Sequence, residues 1–123
     1  MLSRRCHCGD TVFEVDGDLP AALTRCTCSF CSKAGVLRAY YRPEQLRLTG
    51  TAAHDRIYRW QSGLLAHHFC GRCGCTTFTD SPAFEMDGSW DGATRQVSIN
   101  ARLVDGIEAA DLPVEVIDGK TLW

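Results

Sequence analysis

The sequence lacks the features of a membrane-bound, secreted or polyanion-binding protein. It has no run of about eighteen apolar residues, which is the length that crosses a bilayer. Cys6 and Cys8 come before any apolar stretch that can act as a secretion signal. The 13 Lys and Arg residues are outnumbered by 15 Asp and Glu residues, and the net charge is −2. The positive charge that favours nucleic acid is therefore missing, and we expect a cytoplasmic protein with neither a nucleic-acid nor a membrane partner.

Helical periodicity is also scarce. No segment of about ten or more residues repeats apolar residues at helical spacing, and only residues 43–46 and 104–112 suggest short helical pieces. Short β-rich segments bounded by glycine or proline predominate, and residues 56–69 indicate a hairpin. The predicted strands are 11–15, 36–41, 46–50, 56–60, 64–69, 76–79 and 96–103. With 123 residues, of which 45% are hydrophobic, the chain is predicted to form a single all-β domain over residues 1–123.

Cysteine is what the sequence has in excess. Eight cysteines fall into three groups, which are Cys6 and Cys8, then Cys26, Cys28 and Cys31, then Cys70, Cys73 and Cys75. A disulfide framework is the first alternative, but a reducing cytoplasm opposes it. Cysteines two residues apart also fit the geometry of a disulfide poorly. Thiolates that converge from separate segments suit a tetrahedral Zn²⁺ better, so we expect zinc to replace part of the core.

The spacing leaves the partition of the cysteines open. If Cys6 and Cys8 join Cys70 and Cys73, a closed four-sulfur site is complete. Cys26, Cys28 and Cys31 then make a three-sulfur site with one open position, which can take water or substrate. Cys75 is left over in this arrangement, but it can equally complete a second four-sulfur site.

Three motifs resemble the glutathione-dependent formaldehyde-activating enzyme family, which also includes centromere protein V. They are C-x-C-G at residues 6–9, C-x-C-S-x-C at 26–31 and F-C-x-x-C-G at 69–74. Weaker similarity lies at 46–50 and 97–103, so the resemblance covers about residues 6–104. It implies a β-tent fold of packed antiparallel sheets with little helix.

The resemblance also implies two zinc ions per chain, of which the second is partially occupied. Cys6, Cys8, Cys70 and Cys73 would hold a structural zinc, and Cys26, Cys28 and Cys31 a catalytic zinc. Cys75 departs from the family, which has Ser or Thr at this position. It is interpreted as a small buried residue, a redox-active thiol or an alternative ligand.

The activity that the resemblance implies is that of a carbon–sulfur lyase similar to S-(hydroxymethyl)glutathione synthase. Such an enzyme acts on the adduct of glutathione, or a similar small thiol, with formaldehyde. The alternative is a non-enzymatic binding module stabilised by zinc. A sulfoxide reductase with Cys75 as the attacking thiol is disfavoured, because those enzymes carry zinc on two C-x-x-C pairs.

Several polar residues have both a functional and a structural interpretation. His67 and His68 are candidate proton shuttles or packing residues, and Ser29 is a candidate hydrogen-bond donor to a thiolate or a turn residue. Three arginines are candidate partners for glutathione carboxylates or ordinary solvated side chains. These arginines are Arg38, Arg42 and Arg102.

Overall fold

The computed structural model describes residues 2–122, and these residues form a mostly β structure. Within them, ten strands make two sheets and two short α-helices connect or follow strands. The strands are β1 (Leu2–Arg5), β2 (Val12–Val15), β3 (Leu23–Cys26), β4 (Arg38–Tyr41), β5 (Leu46–Thr49), β6 (Asp55–Tyr58), β7 (Ala66–Cys70), β8 (Thr76–Pro82), β9 (Arg95–Asn100) and β10 (Val114–Ile117). The mostly β fold with little helix is therefore confirmed.

The smaller sheet has the order β1-β2-β5, and the larger one has the order β10-β3-β4-β9-β8-β7-β6. All named strand pairs are antiparallel except β10 and β3, which run parallel with Ile117 opposite Cys26. The predicted hairpin between β6 and β7 is present. The larger sheet thus carries β3 near one edge and β7 near the other, and both strands end on a cysteine.

The hydrophobic core lies between the two sheets. Phe13 and Val15 are fully buried and alternate along β2 with the less buried Val12 and Glu14, as the period of two in a strand requires. The ring of Phe13 packs 5.9 Å, centroid to centroid, from that of Phe78 on β8. Ile99 on β9 belongs to the same buried cluster. The sheets therefore pack face to face through these apolar side chains.

The helices are short, and neither α-helix was predicted. The α-helices are α1 (Ser29–Ala34) and α2 (Gly119–Leu122), and 3-10 turns form at Pro43–Gln45, Ala101–Leu103 and Ala109–Asp111. The turns at Pro43 and Ala109 fall where short helical pieces were expected, whereas neither α1 nor α2 lies in a segment that was expected to be helical. Between residues 2 and 122, no helix has the length and apolar character needed to cross a membrane.

Candidate metal centres

Cys6, Cys8, Cys70 and Cys73 come together from distant parts of the chain, and we refer to them as the first cluster. Their sulfur atoms all lie within 4.8 Å of one another. Cys6 and Cys8 follow β1, Cys70 is the last residue of β7, and Cys73 lies in the turn before β8. Two loops from the two sheets therefore meet at this cluster.

Each loop makes a tight turn that ends on a glycine. The Gly9 amide donates to the Cys6 carbonyl at 3.1 Å, and the Gly74 amide donates to the Cys70 carbonyl at 2.7 Å. Gly9 has φ +82° and Gly74 has φ +83°, in the left-handed region that other residues enter at a cost. The turns close around the cysteine pairs because glycine is present at these two positions.

The sulfur separations fit a tetrahedral metal. A tetrahedron with Zn–S bonds of about 2.3 Å has S···S edges of about 3.8 Å. In the first cluster the Cys6 and Cys8 sulfurs are 3.6 Å apart, and those of Cys8 and Cys70 are 3.7 Å apart. These separations are much longer than a disulfide bond, and all eight cysteines are free. The first cluster is therefore suited to a metal ion and consistent with zinc.

Cys26, Cys28 and Cys31 form the second cluster, with sulfurs also within 4.8 Å of one another. Cys26 ends β3, Cys28 is the N-cap of α1, and Cys31 lies in the first turns of that helix. The Cys28 amide donates to the Cys26 sulfur at 3.4 Å, and the Cys31 amide donates to the Cys28 sulfur at 3.3 Å. N–H donors of this kind stabilise thiolates, so the second cluster is also suited to a metal ion.

A buried guanidinium contacts the second cluster. Arg38 on β4 is 5% exposed, and its Nη2 donates to the Cys31 sulfur at 3.4 Å. The hydrogen bond from Cys26 and then the charge and hydrogen bond of Arg38 lower the pKa of the Cys31 thiol to about 5 and outweigh the effect of burial. These contacts favour the thiolate form of Cys31.

Cys75 lies beside the first cluster. Its thiol is a hydrogen-bonding neighbour of Cys73, and burial raises the pKa of the Cys75 thiol. The Cys75 carbonyl accepts a hydrogen bond from the Cys70 amide at 3.0 Å. This residue is therefore placed away from the three sulfurs of the second cluster.

A cavity of about 150 Å³ lies beside the second cluster, and we refer to it as the arginine cavity. Its lining includes Cys26 and Cys31 together with two arginines, Arg25 and Arg102. Arg102 is anchored by a 2.9 Å hydrogen bond from its Nε to the Gly35 carbonyl. Two cationic side chains therefore flank the side of the cluster that faces this cavity.

Another cavity, of about 310 Å³, is referred to as the aromatic cavity. Its lining includes Phe30, Tyr58, His67 and Phe69. The ring of Phe30 stacks on His67 with centroids 4.1 Å apart, and Phe30 also packs against the second cluster. Phe30 therefore separates the aromatic cavity from the cysteines. In the sequence, only the position of Phe30 inside the C-x-C-S-x-C motif indicated that this residue lies near the cysteines.

The two histidines of β7 have different environments. His67 is buried, and its Nδ1 lies 3.0 Å from the Thr79 hydroxyl. Burial and then the positive charges of Arg38 and His68 lower the pKa of His67 to about 4. His68 instead pairs with Asp55 at 2.8 Å and stacks on Phe78. Among the described residues, neither histidine hydrogen-bonds to a cluster sulfur.

The structure places the candidate arginines and Ser29 as follows. Arg42 pairs with Glu44 at the surface, at 2.9 Å. Ser29 is the exposed first residue of α1. Of the three candidate arginines, Arg102 reaches the arginine cavity, and Arg38 reaches Cys31 from within the sheet.

The fold and the two clusters define a mostly β protein with cysteine sites suited to metal ions. The family model described as glutathione-dependent formaldehyde-activating enzyme matches residues 1–94. The chain belongs to this family. It is also similar to a protein of Rhodobacter sphaeroides whose crystal structure is known, with a TM-score of 0.73 and 26% sequence identity. That likeness covers 93% of this chain and 100% of the other.

Proposed function

We propose that the protein is a zinc-dependent carbon–sulfur lyase that acts on the adduct of a small anionic thiol, such as glutathione, with formaldehyde. The observation that carries this proposal is the second cluster, which offers three sulfurs and borders the arginine cavity. Three protein ligands leave a tetrahedral ion one position for an exogenous group. Membership of the glutathione-dependent formaldehyde-activating enzyme family supports the same substrate class.

Cys26, Cys28 and Cys31 are proposed to hold the zinc of the reaction. Bound there, zinc would lower the pKa of a thiol at its open position and keep that thiol ionised near neutral pH. The two amide donors to Cys26 and Cys28 keep the sulfurs oriented toward a common centre. Arg25 and Arg102 are proposed to receive the carboxylates of the thiol, since both flank the cavity next to these cysteines.

The reaction breaks one bond and transfers one proton. In the lyase direction, the C–S bond of the hydroxymethyl adduct breaks and its electron pair stays on sulfur. The hydroxyl oxygen of the adduct loses its proton to solvent water and forms the carbonyl of formaldehyde. The reverse direction forms the C–S bond from the thiolate and returns a proton to that oxygen, so that no oxidant or reductant is consumed.

Cys6, Cys8, Cys70 and Cys73 are proposed to hold a structural zinc. Four sulfurs close the coordination sphere, and the first cluster joins a loop of the smaller sheet to a turn of the larger one. This ion would stabilise the fold and take no part in the reaction.

The test combines zinc counting with exchange spectroscopy. Protein purified without chelator is expected to hold up to two zinc ions per chain and to speed the exchange between formaldehyde and its glutathione adduct, as measured by NMR. A Cys28→Ser variant is the matched control, and it should lose the rate enhancement. If the intact two-zinc protein gives no rate enhancement over the control, the lyase proposal fails and a zinc-stabilised binding module is favoured.

A further inference from the structure

Arg38 is a buried cation without a carboxylate partner among residues 2–122. It is 5% exposed, and the ion pairs found in this part of the chain involve other arginines and histidines. A buried charge is costly unless an opposite charge or several hydrogen bonds compensate it. The groups that compensate the buried charge of Arg38 therefore indicate its role.

Two of the groups that Arg38 contacts are neutral hydroxyls. Its Nη1 donates to Thr79 Oγ1 at 2.9 Å and to Ser98 Oγ at 2.9 Å. Thr79 and Ser98 face each other on β8 and β9, in the middle of the larger sheet. These bonds fix the guanidinium in place, but they do not neutralise its charge.

The third group that Arg38 contacts is the Cys31 sulfur, to which its Nη2 donates at 3.4 Å. Cys31 is 7% exposed, so water screens this pair weakly. A divalent ion with three thiolates carries a net charge of about −1. One buried guanidinium in contact with that group balances this charge.

We propose that Arg38 is a positioning residue that supplies a fixed counter-charge to the second cluster, so that its open position accepts an anionic thiolate in preference to a neutral ligand. This inference rests on the proposed function, because it assigns the open position to a thiol. Without Arg38, a fourth thiolate would bring the group to a charge of about −2 with no buried cation beside it. A neutral fourth ligand would not meet this repulsion.

The test compares an anionic and a neutral ligand at the same position. Intact protein loaded with Co²⁺ is titrated separately with 2-mercaptoethanol, which binds as a thiolate, and with imidazole, which binds uncharged. The visible spectrum of tetrahedral Co²⁺ reports each ligand. The variants are Arg38→Gln, which removes the charge but can still hydrogen-bond, and Arg38→Lys, which keeps the charge. Arg95→Gln, at an exposed arginine paired with Asp80, is the control.

In Arg38→Gln, we expect the affinity for 2-mercaptoethanol to fall about tenfold or more while that for imidazole changes less than about twofold, since only the charged ligand feels the lost cation. Arg38→Lys should restore the thiol affinity to within about threefold, and Arg95→Gln should match the wild type. An equal loss for both ligands, or a loss in Arg38→Lys as large as in Arg38→Gln, would show a structural role and overturn the proposal.

The Co²⁺ affinity of the second cluster provides a second measurement that needs no exogenous thiol. This affinity should fall in Arg38→Gln and recover in Arg38→Lys. An unchanged affinity in Arg38→Gln would overturn the proposal that Arg38 supplies a counter-charge. If Arg38→Gln does not fold, Arg38→Met is used in the same comparison. If neither ligand alters the wild-type spectrum, the proposed function fails at the open position, and the Co²⁺ affinities alone decide the role of Arg38.

Discussion

Cys28 has two roles in the structure, and a single substitution separates them. Its sulfur belongs to the second cluster, and it also caps α1 by accepting the Cys31 amide at 3.3 Å. Serine is among the preferred N-cap residues, so Cys28→Ser removes a thiolate while keeping the cap. We expect the variant to stay folded by near-UV circular dichroism and to lose one zinc equivalent by metal analysis.

Cys73→Ser is the matched substitution in the first cluster, and its expected result is different. A structural zinc contributes on the order of 10 kcal/mol in small domains, more than the whole stability of many of them. The variant should be unfolded or insoluble. Soluble Cys73→Ser protein with native near-UV dichroism and unchanged zinc content would contradict a structural zinc at the first cluster. Equal unfolding of Cys28→Ser and Cys73→Ser would contradict the separation of the two sites.

His67 makes stability depend on pH. Its pKa in the folded protein is lowered to about 4 by burial and then by the charges of Arg38 and His68, against an unfolded value of about 6.5. Between about pH 4 and pH 6.5, His67 therefore binds a proton in the unfolded chain but not in the folded protein. The contribution of His67 to stability is thus complete above about pH 6.5 and is lost as the pH falls toward 4. Between pH 7 and pH 5 the loss is about 2 kcal/mol.

Urea unfolding at pH 7 and pH 5 checks this expectation. Acid also weakens metal binding, so the wild type is compared with His67→Gln, which keeps all the cysteines of both clusters. The variant should lose about 2 kcal/mol less between the two pH values than the wild type does. Equal losses in the two proteins would show that His67 does not carry the shift.

Arg38 shows what the residue types alone do not reveal. From the sequence it was one of three arginines that could pair with a carboxylate, since arginine is usually solvated. In the structure it is buried because Thr79 and Ser98, which are distant in sequence, place their hydroxyls beside it across neighbouring strands. Only the pairing of β8 with β9 and of β9 with β4 creates that environment.

At the scale of elements, the conformation of the turn that ends at Gly74, beside the first cluster, is expected to contribute to the stability of the protein. Gly74 has φ +83°, and a Cβ built there meets no atom within 4 Å. Any cost of substitution therefore comes from the backbone conformation, which is about 1–2 kcal/mol for an ordinary L-residue. Gly74→Ala should lower the free energy of unfolding by this amount, as measured by urea denaturation of the zinc protein.

Gly74→Asn is the control for this turn, because asparagine tolerates the left-handed region better than alanine does. It should be more stable than Gly74→Ala, although it is larger. A Gly74→Asn variant less stable than Gly74→Ala would point to a steric cause and contradict the conformational explanation.

The strands were predicted better than α1 because their signal is local. Val12–Val15, Leu46–Thr49 and Arg95–Asn100 each lie largely within a predicted strand. Helix α1 has six residues, too few to show helical periodicity, and its start is fixed by a cysteine rather than by a usual cap. Strand β10 was missed for another reason: it is mostly exposed and depends on pairing with β3.

At the scale of the whole molecule, the structure brings together the two sets of cysteines that the resemblance had implied. The spacing alone had left Cys75 as a rival ligand for the second set. The topology separates it, since Cys75 follows β7 and lies beside Cys73, whereas the second cluster lies at the end of β3. The partition is therefore a property of the sheet order, which motif spacing does not contain.

The C-terminal strand lies beyond the part of the chain that the family model matches, which ends at residue 94, yet it supports the second cluster. In the parallel pairing of β10 with β3, Ile117 lies opposite Cys26. The Thr27 amide donates to the Ile117 carbonyl at 2.9 Å, and the Thr27 hydroxyl donates to Asp118 Oδ1 at 2.8 Å. These bonds hold the backbone between Cys26 and Cys28.

Removal of residues 114–123 should therefore weaken metal binding at the second cluster more than at the first. We expect the truncated protein to keep one tightly bound zinc and to release the other to a competing chelator about tenfold more readily than the full chain does, which corresponds to about 1.4 kcal/mol. Thr27→Val is the milder matched variant, because it removes the hydroxyl bond and keeps β10. Thr27→Val should also make the release of this zinc to the chelator easier, but by a smaller factor. Retention of both ions at full-chain affinity, or equal weakening of both, would show that β10 does not act through the second cluster.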